Sequence, residues 1–266
     1  MWYLPKRIDV AGVLFLVGLV SCVKIPETGK SALLLTSPSF ENQLGAGGYK
    51  EILAKSKINQ DPRLNDLLRR VATRIAAQTR RSDFKWEFKL IESKEKNAWC
   101  MPGGKIAVYT AILPDMMNEA GMATVLGHEV AHATLRHAGQ RISQQMVVNL
   151  GLSLAEISLG NSAQRDTIIG LLGAGATVGV ILPYSRDHES EADLVGLRYM
   201  AGAGYDPQES IQFWKRFSKS SGGAPPEFLS THPGTTTRIS DLQNHLAEAN
   251  RRYQTASQKY GSGEKI

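Results

Sequence analysis

Two cysteines in 266 residues are too few for a disulfide scaffold, because they can form one bridge at most. The sequence also lacks an apolar run of the roughly 20 residues that a membrane-spanning helix needs. Its main runs, residues 10–20 and 168–182, have 11 and 15 residues. No zinc-finger, RNA-binding or helix-turn-helix signature occurs, and the net charge of +6 is too diffuse to indicate nucleic-acid binding. We therefore expect no nucleic-acid partner and a fold stabilised by its apolar core.

The first residues have the composition of a secretory signal, with a basic start and a short apolar stretch. Leu19-Val20-Ser21-Cys22 resembles the bacterial lipobox, in which a small residue precedes a cysteine that is lipidated and becomes the new N-terminus. We expect a lipoprotein signal peptide at 1–21, lipidation at Cys22 and a tether at 22–38. Val23, in place of aspartate, favours lipid anchoring in the cell envelope, at the periplasmic face of the outer membrane. The alternative is a plain signal peptide that contains a cysteine.

The remaining sequence predicts one domain, α+β and predominantly helical, over residues 39–250, followed by a disordered basic tail at 251–266. The apolar segment 168–182 is interpreted as a buried helix, with a membrane-touching or substrate-gating segment as the alternative. Alternating and short apolar stretches predict a small antiparallel sheet with strands at 84–90, 97–100 and 105–109. Helical periodicity predicts helices at 39–57, 61–79, 118 to beyond 143, 186–200, 206–219 and 235–250.

The stretch GHEVAHATLRH, residues 127–137, contains three of the six histidines of the chain. His128 and His132 are four residues apart, so on a helix both imidazoles lie on one face and can reach one zinc ion. Glu129 lies between them, where its carboxylate can take a proton from a metal-activated water. This H-E-x-x-H pattern predicts a zinc-dependent hydrolase. The alternative is a pair of surface histidines.

A third zinc ligand must come from elsewhere in the chain. On a continuous helix His137 lies nearly opposite His128, so we interpret it as a surface residue or one that contacts a ligand from outside. Glu189 and Asp193 share a helix face with small or apolar residues, where a carboxylate pair is costly to bury unless zinc and a ligand histidine compensate it. Glu191 falls on a different face and is expected to be solvated or salt-bridged. The alternative for Glu189 and Asp193 is a surface helix with ion pairs.

Four sequence blocks together resemble a family of zinc metallopeptidases that includes HtpX, the type I CAAX prenyl protease and bacterial lipoprotein proteases such as BepA and LoiP. In their order and spacing, the blocks extend the resemblance over about Ser39 to Asn250. They are NAWCMPGGKI at 97–106, LGHEVAH at 126–132, SRDHESEADLVG at 185–196, and Thr231-His232-Pro233 followed by Arg238-Ile239.

The resemblance implies a zincin-like fold with one Zn²⁺ per chain and Glu189 as its third protein ligand. It also implies that an edge strand at 97–101 binds an extended substrate by backbone pairing. His232 is then expected near the metal, where it polarises the scissile carbonyl, stabilises the oxyanion or takes the fourth zinc position; Arg238 is expected to hold the site or bind substrate. The substrate strand comprises Asn97, Ala98, Trp99 and Cys100.

The combined expectation is a lipid-anchored zinc metalloendopeptidase that hydrolyses unfolded or misassembled envelope proteins, with Glu129 as the general base. No set of transmembrane segments or C-terminal helical repeats occurs, so the lipoprotein members are the better match. Cys100 is a packed small residue or a thiolate that caps the zinc. Two rival functions are a metal-stabilised envelope chaperone with little proteolysis and a zinc hydrolase of cell-wall crosslinks. Glu129 argues against the first, because a structural metal needs no general base, and the edge strand argues against the second.

Overall fold

The computed structural model describes residues 22–159, 185–220, Phe228, His232 and 237–266. The expected signal peptide at 1–21 and the apolar segment 168–182 lie outside these residues. Within the described part, no helix has the length and apolar character needed to cross a membrane. The chain divides into two compact units, one formed by residues before 38 and after 138 up to 177, the other by residues 38–138 and 178–266.

The first unit contains a short hairpin in the segment expected to be a tether. Strands β1 (Cys22–Lys24) and β2 (Ser31–Leu33) pair antiparallel. Helix α5 (His137–Leu159) continues through this unit, and the Ser143 hydroxyl accepts a hydrogen bond from the Leu35 amide at 2.8 Å. The segment therefore has more regular structure than the tether interpretation predicted.

The second unit combines seven described helices with a three-stranded sheet. Mixed α+β architecture with helices predominating, the predicted fold class, is confirmed. The strands are β3 (Glu87–Ile91), β4 (Ala98–Met101) and β5 (Lys105–Tyr109). The helices that begin in this unit are α1 (Pro38–Ala54), α2 (Pro62–Ala76), α3 (Leu113–Met116), α4 (Glu119–Thr134), α6 (Arg186–Gly202), α7 (Gln208–Ser220) and α8 (Arg238–Thr255).

The sheet is mixed, not wholly antiparallel as expected. Its order is β3-β5-β4, with β3 parallel and β4 antiparallel to β5. Side-chain alternation identified the strands but carries no information on their direction. The order leaves β4 at an edge of the described sheet, as the sequence predicted.

Helix α4 is buried on all sides, and two groups of contacts fix its start. The Asn118 side chain caps it by accepting a hydrogen bond from the Gly121 amide at 2.8 Å, as expected for an N-cap. The first amides of the helix, those of Glu119 and Ala120, donate to the backbone carbonyls of Glu264 and Ser262 at 2.9 and 3.1 Å. These amides have no partner within the helix, so the C-terminal segment completes the hydrogen bonding of α4.

The C-terminal segment is therefore ordered, contrary to the prediction of disorder at 251–266. Helix α8 continues to Thr255, and Glu264 also pairs with Arg63 at 3.0 Å and with Arg70 at 2.9 Å. The basic, polar composition of the segment gave no sign of this order, because most of its contacts are made by backbone atoms.

Helices α4 and α6 cross at two glycines. A Cβ on Gly196 would lie 2.7 Å from the His128 amide nitrogen, and a Cβ on Gly127 would lie 2.7 Å from the Gly196 carbonyl oxygen. Only glycine allows the two backbones to approach this closely. The crossing brings the histidines of α4 beside the carboxylates of α6.

We predict that Gly196→Ala lowers the free energy of unfolding by about 1–3 kcal/mol, because the added methyl group overlaps backbone atoms that cannot move independently. Gly47→Ala in α1 is the control, since its Cβ has no neighbour within 4 Å and alanine favours the helix. Urea denaturation of both variants measures the effect. A Gly196→Ala protein as stable as the control would contradict the account of the crossing.

Candidate metal centre

Four buried side chains converge at the α4–α6 crossing. The group comprises His128, His132, Glu189 and His232, each with one donor atom, and these atoms all lie within 4.8 Å of one another. Three of the four are the ligands expected from the sequence, and the fourth is the histidine expected near the metal.

The separations between donor atoms fit a tetrahedral metal ion. His128 Nε2 lies 3.1 Å from His132 Nε2 and 3.4 Å from His232 Nδ1. Glu189 Oε2 lies 3.3 Å from His128 Nε2, and Glu189 Oε1 lies 3.3 Å from His132 Nε2. Tetrahedral zinc with bonds of about 2.0–2.1 Å holds neighbouring donors about 3.3 Å apart. Two imidazoles and a carboxylate are also the donors of a typical catalytic zinc site, so the residues fit the ion.

Asp193 and Arg238 hold the ligands from outside. Asp193 Oδ1 lies 2.9 Å from His128 Nδ1, so the other ring nitrogen of His128 faces the cluster. The Arg238 guanidinium spans the two carboxylates, with Nε donating to Asp193 Oδ2 at 2.6 Å and a terminal nitrogen donating to Glu189 Oε2 at 2.7 Å. It also stacks on Trp214, 4.0 Å from the ring centre. Arg238 thus neutralises charge that α6 buries.

The electrostatics of the cluster are dominated by burial and by these pairings. Burial raises the pKa of Glu189, but the charge of His128 and hydrogen bonds from the three histidines outweigh it and lower that pKa. Burial lowers the pKa of His128, yet Glu189 and Asp193 raise it to about 10. Burial lowers the pKa of His132, which keeps that imidazole neutral, the form in which it binds a metal.

Glu129 points at the cluster from the side of β4. Its Oε1 lies 3.6 Å from His232 Nε2 and makes no hydrogen bond among the described residues. The carboxylate accepts a hydrogen bond from the Cys100 backbone amide, and burial raises its pKa. Glu129 Oε1 is thus a buried carboxylate oxygen without a hydrogen-bond partner, next to four side chains that can bind a metal ion. This position suits a group that receives a proton during a reaction.

Cys100 is buried and does not join the cluster. Burial, together with the nearby Glu129 charge, raises the pKa of its thiol, so the sulfur remains protonated. His232 supplies the fourth donor instead, and its ring stacks on Phe228 with 4.6 Å between ring centres. Of the two expected capping residues, the structure places the histidine at the metal centre.

His137 is fully buried, so its interpretation as a surface residue is wrong, while its interpretation as a residue that contacts a ligand agrees with the structure. Helix α4 ends at Thr134, and Arg136 turns the chain with φ 58° before α5 begins. Arg136 is held there by two hydrogen bonds to Glu41, at 3.0 and 2.7 Å. The turn brings His137 Nδ1 to 2.9 Å from His132 Nδ1. The helix is broken between His132 and His137, so the angular positions of residues on one continuous helix do not predict where His137 lies.

Comparison with known proteins gives the family. The model of "Peptidase family M48" matches residues 60–246, which include the ligands and the sheet. The chain belongs to peptidase family M48. The family expected from the sequence blocks, the zinc metallopeptidase class and the zinc cofactor are confirmed at the level of this family.

The relatives include proteins of eukaryotes that are named as mitochondrial and proteins of bacteria. The mitochondrial metalloendopeptidase OMA1 of Schizosaccharomyces pombe is 33% identical over 237 residues, which are 87% of this chain and 68% of the relative. OMA1 of Saccharomyces cerevisiae is 37% identical over 64% of this chain and 50% of the relative. The beta-barrel assembly-enhancing protease of Escherichia coli is 28% identical over 83% of this chain and 46% of the relative. The chain thus spans about half to two thirds of the length of these relatives.

The predicted localisation at the periplasmic face of the outer membrane is wrong. It rested on the resemblance of Leu19-Val20-Ser21-Cys22 to a lipobox and on Val23 in place of aspartate, whereas several of the relatives found are named as mitochondrial proteins.

We predict that Arg238→Met destabilises the metal-free protein by about 3–5 kcal/mol, because it leaves Glu189 and Asp193 buried without the guanidinium that spans them. Arg238→Lys should restore only part of the loss, since one ammonium group does not bridge both carboxylates as a guanidinium does. Arg252→Met, at an exposed ion pair with Glu248, is the control and should cost less than about 1 kcal/mol. Equal unfolding free energies for Arg238→Met and the control would refute this role.

Proposed function

We propose that the chain is a zinc metalloendopeptidase whose substrates are unfolded or misassembled proteins. The main support for the proposal is the position of Glu129. Its buried carboxylate points at the four candidate metal ligands and lies beside the edge strand β4. When bound, zinc supplies a Lewis acid that lowers the pKa of a water molecule and polarises the substrate carbonyl. We assign the zinc to His128, His132 and Glu189.

The proposed roles around Glu129 follow from its contacts. Glu129 takes a proton from the attacking water and delivers it to the leaving nitrogen, because its free Oε1 faces the centre and its raised pKa suits both transfers. His232 lies between Glu129 and Glu189, with its Nδ1 3.0 Å from Glu189 Oε1. We assign it the fourth position in the resting site and, with substrate present, a hydrogen bond to the developing oxyanion. Asp193 and Arg238 hold the ligands in place.

The edge strand β4 supports an extended substrate. The Tyr109 amide donates to the Asn97 carbonyl at 2.9 Å, so alternation along an antiparallel pair directs the backbone of Trp99 to β5 as well. The polar backbone groups of Ala98 and Cys100 then point to the outer edge, and the Cys100 amide reaches Glu129. A peptide that adds to this edge runs past the general base. Such pairing requires an unfolded segment, which favours unfolded proteins as substrates.

We also propose that Cys22 is lipidated. Its support is the Leu-Val-Ser-Cys sequence and the exposure of Cys22 at the start of β1.

We predict that Glu129→Gln lowers kcat on casein by about 10²-fold or more and leaves the zinc content at one per chain, because Glu129 serves the water and is not a ligand. Glu51→Gln, an exposed glutamate paired with Lys55 in α1, is the control and should retain full activity and zinc. A carboxymethylated, unfolded protein should be cleaved and its native form spared. Wild type that binds zinc yet equals Glu129→Gln on every unfolded substrate would instead favour the rival of a binding protein with little proteolysis.

A further inference from the structure

A second buried contact chain leads outward from the metal centre on the side of His132. His137 Nδ1 lies 2.9 Å from His132 Nδ1, and His137 Nε2 lies 3.3 Å from Glu191 Oε2. His188 stacks on the His137 ring, with 4.2 Å between ring centres and an angle of 20° between planes. The Glu191 carboxylate thus reaches a metal ligand through one intervening imidazole.

The hydrogen bonds from His132 through His137 to Glu191 determine the tautomers of the two histidines. His132 presents Nε2 to the cluster, so as a neutral ligand it carries its hydrogen on Nδ1. That N–H donates to His137 Nδ1, which must therefore be the unprotonated nitrogen of its ring. His137 then carries its hydrogen on Nε2 and donates it to Glu191. Each of the two hydrogen bonds, His132 to His137 and His137 to Glu191, then has one donor and one acceptor. Their direction follows from the orientation of His132, whose Nε2 faces the metal site.

We propose that His137 and Glu191 are positioning residues that fix the tautomer and ring orientation of His132, and so strengthen metal binding. The inference rests on the proposed metal site. The Nδ1 atoms of the two α4 histidines are supported differently. Nδ1 of His128 lies 2.9 Å from the Asp193 carboxylate, while Nδ1 of His132 reaches a carboxylate, that of Glu191, through His137. Loss of a partner of this kind typically weakens metal affinity by about 10–100-fold.

The buried surroundings explain why an imidazole suits this position. His137 is fully buried between His132 and His188, and Glu191 is partly exposed at the outer end. A carboxylate placed directly against His132 Nδ1 would have to be buried as Asp193 is, and Arg238 already compensates Glu189 and Asp193 on the other side of the site. With an imidazole between them, the negative charge stays near solvent, where it costs less.

The test measures zinc affinity of the full chain by competition with a chromophoric chelator. His137→Leu should raise the zinc Kd by about 10–100-fold. His137→Asn keeps an acceptor close to the Nδ1 position and should recover most of the affinity. Glu191→Ala, at a half-buried position that tolerates truncation, should raise the Kd by a smaller factor. His245→Leu, an exposed histidine of α8, is the matched control and should leave the Kd unchanged.

Two further measurements separate positioning from a purely structural role. The thermal midpoint of the metal-free protein should fall far less than the zinc affinity, and the visible absorption spectrum of the Co²⁺ form should change in His137→Leu but not in His245→Leu. A zinc Kd within twofold of wild type in both His137→Asn and Glu191→Ala, together with a folded His137→Leu that also binds normally, would overturn the proposal. If His137→Leu does not fold, an unchanged Kd in Glu191→Ala overturns it alone. Affinity is read without substrate, so an inactive wild type that binds zinc tightly would refute the peptidase proposal and not this one.

Discussion

The fully buried carboxylate of Glu189 is the constraint on which the rest of the site depends. A lone carboxylate removed from water is very unfavourable, so every group around it must return part of the lost solvation. Three imidazoles and one guanidinium do so, within 3.3 Å of its oxygens. The same groups create a set of donors with the spacing of a zinc site. The side chains that compensate the buried charge of Glu189 therefore also include the histidine ligands of the metal centre.

That arrangement requires close helix packing and fixed helix ends. Gly127 and Gly196 let α4 and α6 approach until His128 contacts the carboxylates of Glu189 and Asp193. Asn118 and the C-terminal segment satisfy the first amides of α4, while the turn at Arg136 ends it and directs His137 back to the site. The ligand helix is therefore held at both ends and along its length, as a preorganised metal site requires.

The parts of the site that depend on local spacing could be predicted from the sequence. The intervals from His128 to His132 and from Glu189 to Asp193 each place two side chains on one helix face, and their chemistry follows from residue type. His232 and Arg238 have no such pattern and were found only through resemblance to a family. His137 was partly misjudged because Leu135-Arg136-His137 contains neither glycine nor proline, so nothing marked the end of the helix. The sheet direction and the order of the C-terminal segment were missed because both depend on backbone pairing between distant residues, which composition does not record.

The central claim is that these four side chains hold zinc, and zinc K-edge X-ray absorption of the purified protein tests it most directly. The account predicts one zinc per chain, a shell of nitrogen and oxygen atoms at about 2.0–2.1 Å and scattering from imidazole rings. It also predicts no sulfur, since Cys100 is protonated and lies outside the cluster. A sulfur ligand at about 2.3 Å, or protein that takes up no zinc, would contradict it.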